Sequence, residues 1–380
     1  MIPHTRQALK RRPGGFSLVE IMVGIALGIV GALVIMQVSA IFEGRKRTTT
    51  SGADAQINGA LALHTIERDV RKAGYGISVP DAIGCTVRRY FGGAEITAPA
   101  FSLTPVVITK GAGGRPDTIR TIASSKDGWS VPNRITSDHP AAGSSLFLNT
   151  TLGMEAGDML VAYQPGRTCT LMQATEIDSA DVEVVHATTS PWNPDGASSV
   201  FPVDGYSVGG LVFNFGSLSD RTYSIDANSN LMLTERVSAT NTDAVRALAS
   251  DIVNLKAEYG FDTRAGKPED LRVDSWSGAM IDADNSGTAG DSGDIGRIAA
   301  VRMAVVARSA VMERPKSDGT CDITISTAIP GRTPNSPTWA GGAIDVSRNP
   351  DGTPNPNWQC HRYKVYETVI PLRNLLWREP

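Results

Sequence analysis

Residues 1–47 read MIPHTRQALKRRPGGFSLVEIMVGIALGIVGALVIMQVSAIFEGRKR, and this stretch decides the architecture. A short leader carries Arg6, Lys10, Arg11 and Arg12 without an acid, and an apolar run over 16–42 follows that only Glu20 interrupts. At about 1.5 Å per residue a helix of that length spans a hydrocarbon layer of about 30 Å, so the run reads as one transmembrane helix. The leader cations favour a cytoplasmic N-terminus, a bias that Arg45, Lys46 and Arg47 on the far side weaken. The remainder then lies across the membrane, in the periplasm of a bacterium. A secretory signal cut after Val38-Ser39-Ala40 is the ordinary alternative, but its apolar core would exceed the usual ~7–15 residues. Neither that signal nor a plain anchor explains Glu20, or the Gly14-Gly15 pair where the charged leader stops.

An ionised carboxylate inside a membrane helix costs up to roughly 2.5–3.5 kcal/mol and usually has a partner. Cleavage between Gly15 and Phe16 would create an α-amine one helical turn before Glu20, within reach of a neighbouring chain's carboxylate. Such a pair neutralises both charges in lipid and sets the axial register between subunits. Gly24, Gly28 and Ala32 recur every four positions, the spacing that lets helix backbones approach closely, although glycine is common in membrane helices generally.

Gly15-Phe16-Ser17-Leu18-Val19-Glu20 followed by a long apolar helix resembles the class III leader and N-terminal helix of type IV pilins and type II secretion pseudopilins. The resemblance implies a dedicated peptidase cutting after Gly15, methylation of the new N-terminal Phe16, and a subunit-docking role for Glu20. Two further stretches, LHTIERDVRKAGYG at 63–76 and CHRYKVYETVIPLRNLLWRE at 360–379, are similar to the PilW group of minor pilins. That likeness implies a structural, non-enzymatic subunit whose partners are other minor pilins, the major pilin, the prepilin peptidase, the inner-membrane assembly platform and a tip adhesin. The type II secretion pseudopilin shares the N-terminus, and an adhesin head borne on a pilus is a further alternative.

The helix need not end with the membrane. Residues 43–72 lack proline and place Leu63, Ile66, Val70 and Ala73 on one face. Gly74 and Gly76 supply an exit, with Arg68, Arg71 and Lys72 favourably placed against the helix dipole. The expectation is one helix of nearly 90 Å at the usual rise. From 77 onward Gly, Pro, Asn, Asp and Ser punctuate short β-branched runs, the pattern of a β-rich body. The clearest strands are 297–309 (RIAAVRMAVVARS) and 362–374 (RYKVYETVIPLRN), expected to pair antiparallel. Their alternation puts Val301, Met303, Val305, Tyr363 and Val365 on one face, and Arg302 and Lys364 on the other.

About 50 residues rich in Gly, Pro and Asn join those strands and need tethering. Cys321 and Cys360 fall at the same end of such a pair, making their disulfide the economical choice and leaving Cys85 with Cys169. Four cysteines allow three connectivities. Closing the loop contributes roughly 4 kcal/mol by the chain-entropy model.

Composition narrows the function. A 41% hydrophobic and 20% charged chain of 380 residues can bury a core and is no low-complexity or multi-span sequence. Its net charge of -3 argues against nucleic-acid binding on bulk electrostatics. The Arg45-Lys46-Arg47 run reads as a headgroup contact, and Trp339, Trp358 and Trp377 as packing residues. Gly205-Tyr206-Ser207-Val208-Gly209 fits G-x-S-x-G, yet a strand-like run follows where a nucleophile elbow needs a helix. Asp282-Ala283-Asp284-Asn285-Ser286-Gly287 resembles half a calcium loop, with Asp282, Asp284 and Ser286 as ligands. Its twelfth position is Gly293, so Asp291 or Asp294 would have to supply the missing carboxylate of a weak site, and an Asp/Gly turn is the plainer reading. No other cofactor is expected.

The expected fold is α+β: a leader over 1–15, a transmembrane half-helix over 16–42 and an amphipathic half over 43–75. A β-rich periplasmic head follows over 76–380, with a variable part at about 80–207 and a C-terminal sheet at about 208–380.

Overall fold

The computed structural model describes residues 15, 17–126, 128, 131–196, 199–265 and 272–376. Phe16, the leader up to residue 14, and Trp377 lie outside the described residues. One α-helix, α1, runs Leu18–Lys72. By contacts the chain divides into two units, Met1–Ser51 and Gly52–Pro380.

In the first unit the stretch Leu18–Ala40 is long and apolar enough to cross a membrane, and none of it is buried. A helix that is apolar on every side has its partner outside its own chain, either lipid or another helix.

In the second unit α1 has a defined inner face. Ala55, Gly59, Ala62, Ile66, Asp69, Val70 and Ala73 are buried at spacings of three and four, so the stripe follows the helical period. Leu63, expected on this stripe, flanks it half-buried. Gly59 marks the closest approach: a Cβ there would stand 2.4 Å from the Tyr366 ring. At the exit Gly74 turns with φ +79°, and the Asn374 side-chain amide donates to the carbonyls of Lys72 and Ala73, each at 3.1 Å.

Three larger sheets make the β-rich body. The first orders Val87–Arg88, Cys169–Gln173, Met159–Tyr163, Leu211–Gly216 and Asn133–Arg134, with only the Val87–Arg88 pairing parallel. The second is antiparallel throughout: Thr242–Ala249, Leu231–Val237, Ser219–Ile225, Thr118–Ala123 and Val106–Thr109. The third orders Ser275–Ser277, Ile252–Phe261, Ile298–Arg308 and Tyr363–Pro371. Strands from both sides of residue 207 share the first two sheets, so the 80–207 part is woven into the body. The main core gathers the helix stripe with Ile119, Tyr223, Leu255, Tyr259, Met303, Val305 and Ile370.

The two C-terminal strands pair antiparallel, with one correction. Tyr363 and Val365 face Arg308 and Val306, on the side opposite Val301, Met303 and Val305; Tyr366, Thr368 and Ile370 share the inner face instead. Both faces are apolar because both are covered. Ile344 and Val346, from the segment between the strands, form a small outer core on Val253, Ala304 and Val306, flanked by Trp339 and Trp358. Arg302 lies between the Trp276 and Trp339 rings, 4.7 and 5.4 Å from their centroids, and donates to Glu258 at 2.7 Å. The last strand stops at Pro371, three residues short of its expected end, and a helical turn, Arg373–Leu376, follows. Disulfides join Cys321 to Cys360 across the intervening segment, and Cys85 to Cys169 beside the parallel pairing.

Candidate assembly face and acidic loop

Glu20 is the one ionisable residue of Leu18–Ala40. Ser17 stands just ahead of the helix: its carbonyl accepts from the Ile21 N–H at 3.2 Å, and its own N–H donates to Glu20 Oε2 at 3.5 Å. This is half of a capping box, so within a single chain the carboxylate answers an orphan backbone donor. Glu20, Gly24, Gly28 and Ala32 share a stripe at four-residue spacing, and Gly31 adds a small residue that the sequence reading did not single out. A Cβ at Gly24, Gly28 or Gly31 would meet nothing within 4 Å, which leaves the groove open to a second backbone. Gly15 is exposed. Cleavage and methylation at Phe16 fall outside the described residues.

In the second unit α1 also carries an outward apolar pair. Ile57 and Leu61, one turn apart, are exposed. The inner stripe holds a group that sequence reasoning missed: Asp69 is buried and accepts from Tyr223 Oη at 2.6 Å and from Arg221 at 3.0 Å. Arg221 also pairs with Glu235 at 2.8 Å. Burial and then the bond to Asp69 raise the Tyr223 phenol, keeping it a neutral donor. The signal was present in the spacing, since Asp69 falls three residues after Ile66 on the buried face. A cleft of about 530 Å³ opens beside this group, lined by Asp69, Lys72, Ser124, Arg221, Glu235 and Arg236.

The acidic loop gathers Asp282 and Asp284 with Asp294, one of the two carboxylates named for the missing position, and leaves Ser286 aside. Oxygens of Asp282, Asp284 and Asp294 lie within 4.8 Å of one another. Ser286 turns its hydroxyl to Asp291 at 2.8 Å, a bond that leads in holding the Asp291 carboxyl below its usual range. A cation here would therefore meet Asp294 in place of Ser286. Backbone donors already serve these oxygens: Asp294 accepts from Ala283, Asp284 and Gly290, and Asp282 from Ser286 and Gly287. The loop holds its negative charge on its own amides.

The G-x-S-x-G stretch has a backbone explanation. Gly205 sits at φ +62°, and a Cβ there would overlap the His139 carbonyl at 1.9 Å, so only glycine fits. The buried Tyr206 exchanges both amide bonds with His139, and strand Leu211–Gly216 follows with no helix between. Ser207 Oγ is 3.4 Å from an Arg167 nitrogen.

With this geometry in place, comparison with known proteins finds a likeness over part of the chain. Residues 221–374 match the family model described as type IV pilus-assembly protein W, PilW. Among solved structures it is similar to a type IV-like pilin from Thermus thermophilus, at 11% identity and a TM-score of 0.32, over 85% of this chain and 97% of that one. No curated protein matches it. The matched segment holds most of the second sheet, all of the third, and both Asp69 partners.

Proposed function

We propose that this chain is a minor pilin of a type IV pilus, helping to initiate assembly or forming part of the tip. The observation that carries the reading is a single carboxylate, Glu20, in a wholly exposed apolar helix ahead of a PilW-type body. The chain is inserted in the bacterial inner membrane with its leader cytoplasmic and its head periplasmic. Prepilin peptidase cuts between Gly15 and Phe16, Phe16 is methylated, and the new amine competes for the carboxylate that the Ser17 N–H otherwise occupies. The small-residue stripe admits a neighbouring helix, and in the second unit the exposed Ile57 and Leu61 offer an apolar pair of their own.

The partners are other minor pilins, the major pilin, the peptidase, the assembly platform and membrane lipid before assembly; a tip adhesin fits the same set, and no nucleic acid does. The role is structural, without catalysis. Cofactors are none beyond weak calcium at the acidic loop.

N-terminal sequencing and mass analysis of the mature chain test this directly. A start at methylated Phe16, with the chain present in sheared pili, is expected. A start at Met1 or Ile41 would overturn the assignment, and recovery with secretion components instead of pili would move it to the pseudopilins.

A further inference from the structure

His139 lies on the segment after strand Asn133–Arg134, and His186 directly follows strand Glu183–Val185. Both are buried, and their Nε2 atoms stand 2.9 Å apart. The Phe201 ring covers both, its centroid 4.7 Å from that of His139 and 5.2 Å from that of His186. Phe201 belongs to a second core, separate from the main one, with Leu146, Val184 and Tyr206. His139 exchanges amide bonds with Tyr206, and the His186 N–H donates to the Ser144 carbonyl at 2.7 Å. The two rings thus bolt three segments, near 139–144, 183–186 and 199–206, onto that core.

A hydrogen bond between two imidazoles needs one Nε2–H and one bare Nε2, which a neutral pair provides. A first added proton must go to an Nδ1, and the buried His139 Nδ1 has no hydrogen-bond partner. A second proton leaves two like charges facing each other without water. The ionisable groups on the surrounding elements are engaged elsewhere. Asp138 accepts from the Val208 N–H. Arg88 pairs with Glu95 and reaches the Phe201 carbonyl. Arg167 donates to the carbonyls of Asp204 and Gly205, and Tyr206 Oη donates to the Thr168 carbonyl. Glu183 lies three residues before His186, and among the described residues no carboxylate bonds to either ring.

We propose that the His139–His186 pair is an acid-sensitive latch, whose protonation releases segments 136–148, 183–196 and 199–207 from the second core while the C-terminal sheet stays folded. Burial pushes His139 down from 6.5 to about 4; burial and then the neighbouring ring push His186 down to about 3. Opened segments titrate at the ordinary value and so bind more protons below it. The closed state is fully favoured above about 6.5 and loses ground as the pH falls through about 4.

Hydrogen exchange read by mass spectrometry, on the full chain in detergent and corrected for intrinsic rates, tests the latch. Between about pH 7 and about pH 4, these segments should lose at least about a hundredfold of protection, the share that the shift of His139 from 6.5 to about 4 implies by itself, while Ile298–Arg308 keeps its own. Unchanged protection, or simultaneous loss in Ile298–Arg308, would overturn the proposal. In the double variant His139→Gln/His186→Gln, which retains amide partners without titrating, the acid step should vanish; an acid step of wild-type size there also overturns it. Should that variant fail to fold, the wild-type comparison alone decides.

Discussion

The two halves of α1 face different partners. Residues 18–40 are apolar on every side and bury nothing, whereas residues 52–72 bury a stripe of Ala, Ile, Val and Gly and leave mostly polar residues, with Ile57 and Leu61, outside it. The difference lies in what each half lacks. The first has no buried residue over Leu18–Ala40 and holds one acid at its start. The second has its acid, Asp69, inside, already matched by Tyr223 and Arg221. An acid on an apolar helix therefore reads in two ways: satisfied by the fold, as at Asp69, or held ready for another molecule, as proposed for Glu20.

Removing the satisfied acid should have the largest effect on stability. Asp69→Ala is expected to cost about 3 kcal/mol in urea unfolding, because a buried hydroxyl and a half-buried guanidinium lose their acceptor. A loss under about 1 kcal/mol would mean that the apolar stripe alone seats the helix. Next comes Gly59→Val, which drives two methyl groups into Tyr366; about 2 kcal/mol is expected from overpacking, visible as a lower Tm. Asn374→Ala removes the amide that serves the last helix carbonyls, and about 1 kcal/mol is expected in the same unfolding assay. The smallest change in stability belongs to Glu20→Ala, within about 0.5 kcal/mol, since it touches no core. That variant should still be cleaved yet fail to enter pili. Wild-type incorporation would erase the contrast between the two acids.

Much of this was legible in the sequence for reasons of period. Ile66, Val70 and Ala73 declare a helix face, and 298–308 and 363–371 declare strands through β-branched runs. The facing of the last strand was not legible. Alternation tells which residues share a face, but with Ala304 and Val306 as apolar as Met303 and Val305, it does not tell which face is the inner one. Asp69 could be seen to need a partner, but its partners lie 152 and 154 residues away, and no local pattern names them. The imidazole pair is hidden for the same reason, its members being 47 residues apart with unremarkable neighbours. The acidic loop was partly legible: spacing found Asp282 and Asp284 and left Asp291 or Asp294 to complete them, while the turn that swings Ser286 toward Asp291 and leaves Asp294 with the pair was not visible.

The contact of Asn374 with Lys72 spans 302 residues, and Tyr366 roofs Gly59 from slightly farther along the chain. Synthesis delivers the helix long before it delivers these late residues. Until they arrive, the Gly59 end of the inner stripe and the last helix carbonyls stay uncovered, a flag that chaperones and proteases can read. A product stalled ahead of Tyr363 never covers Gly59, so the seat of the helix is completed only by the last strand of the chain's third sheet.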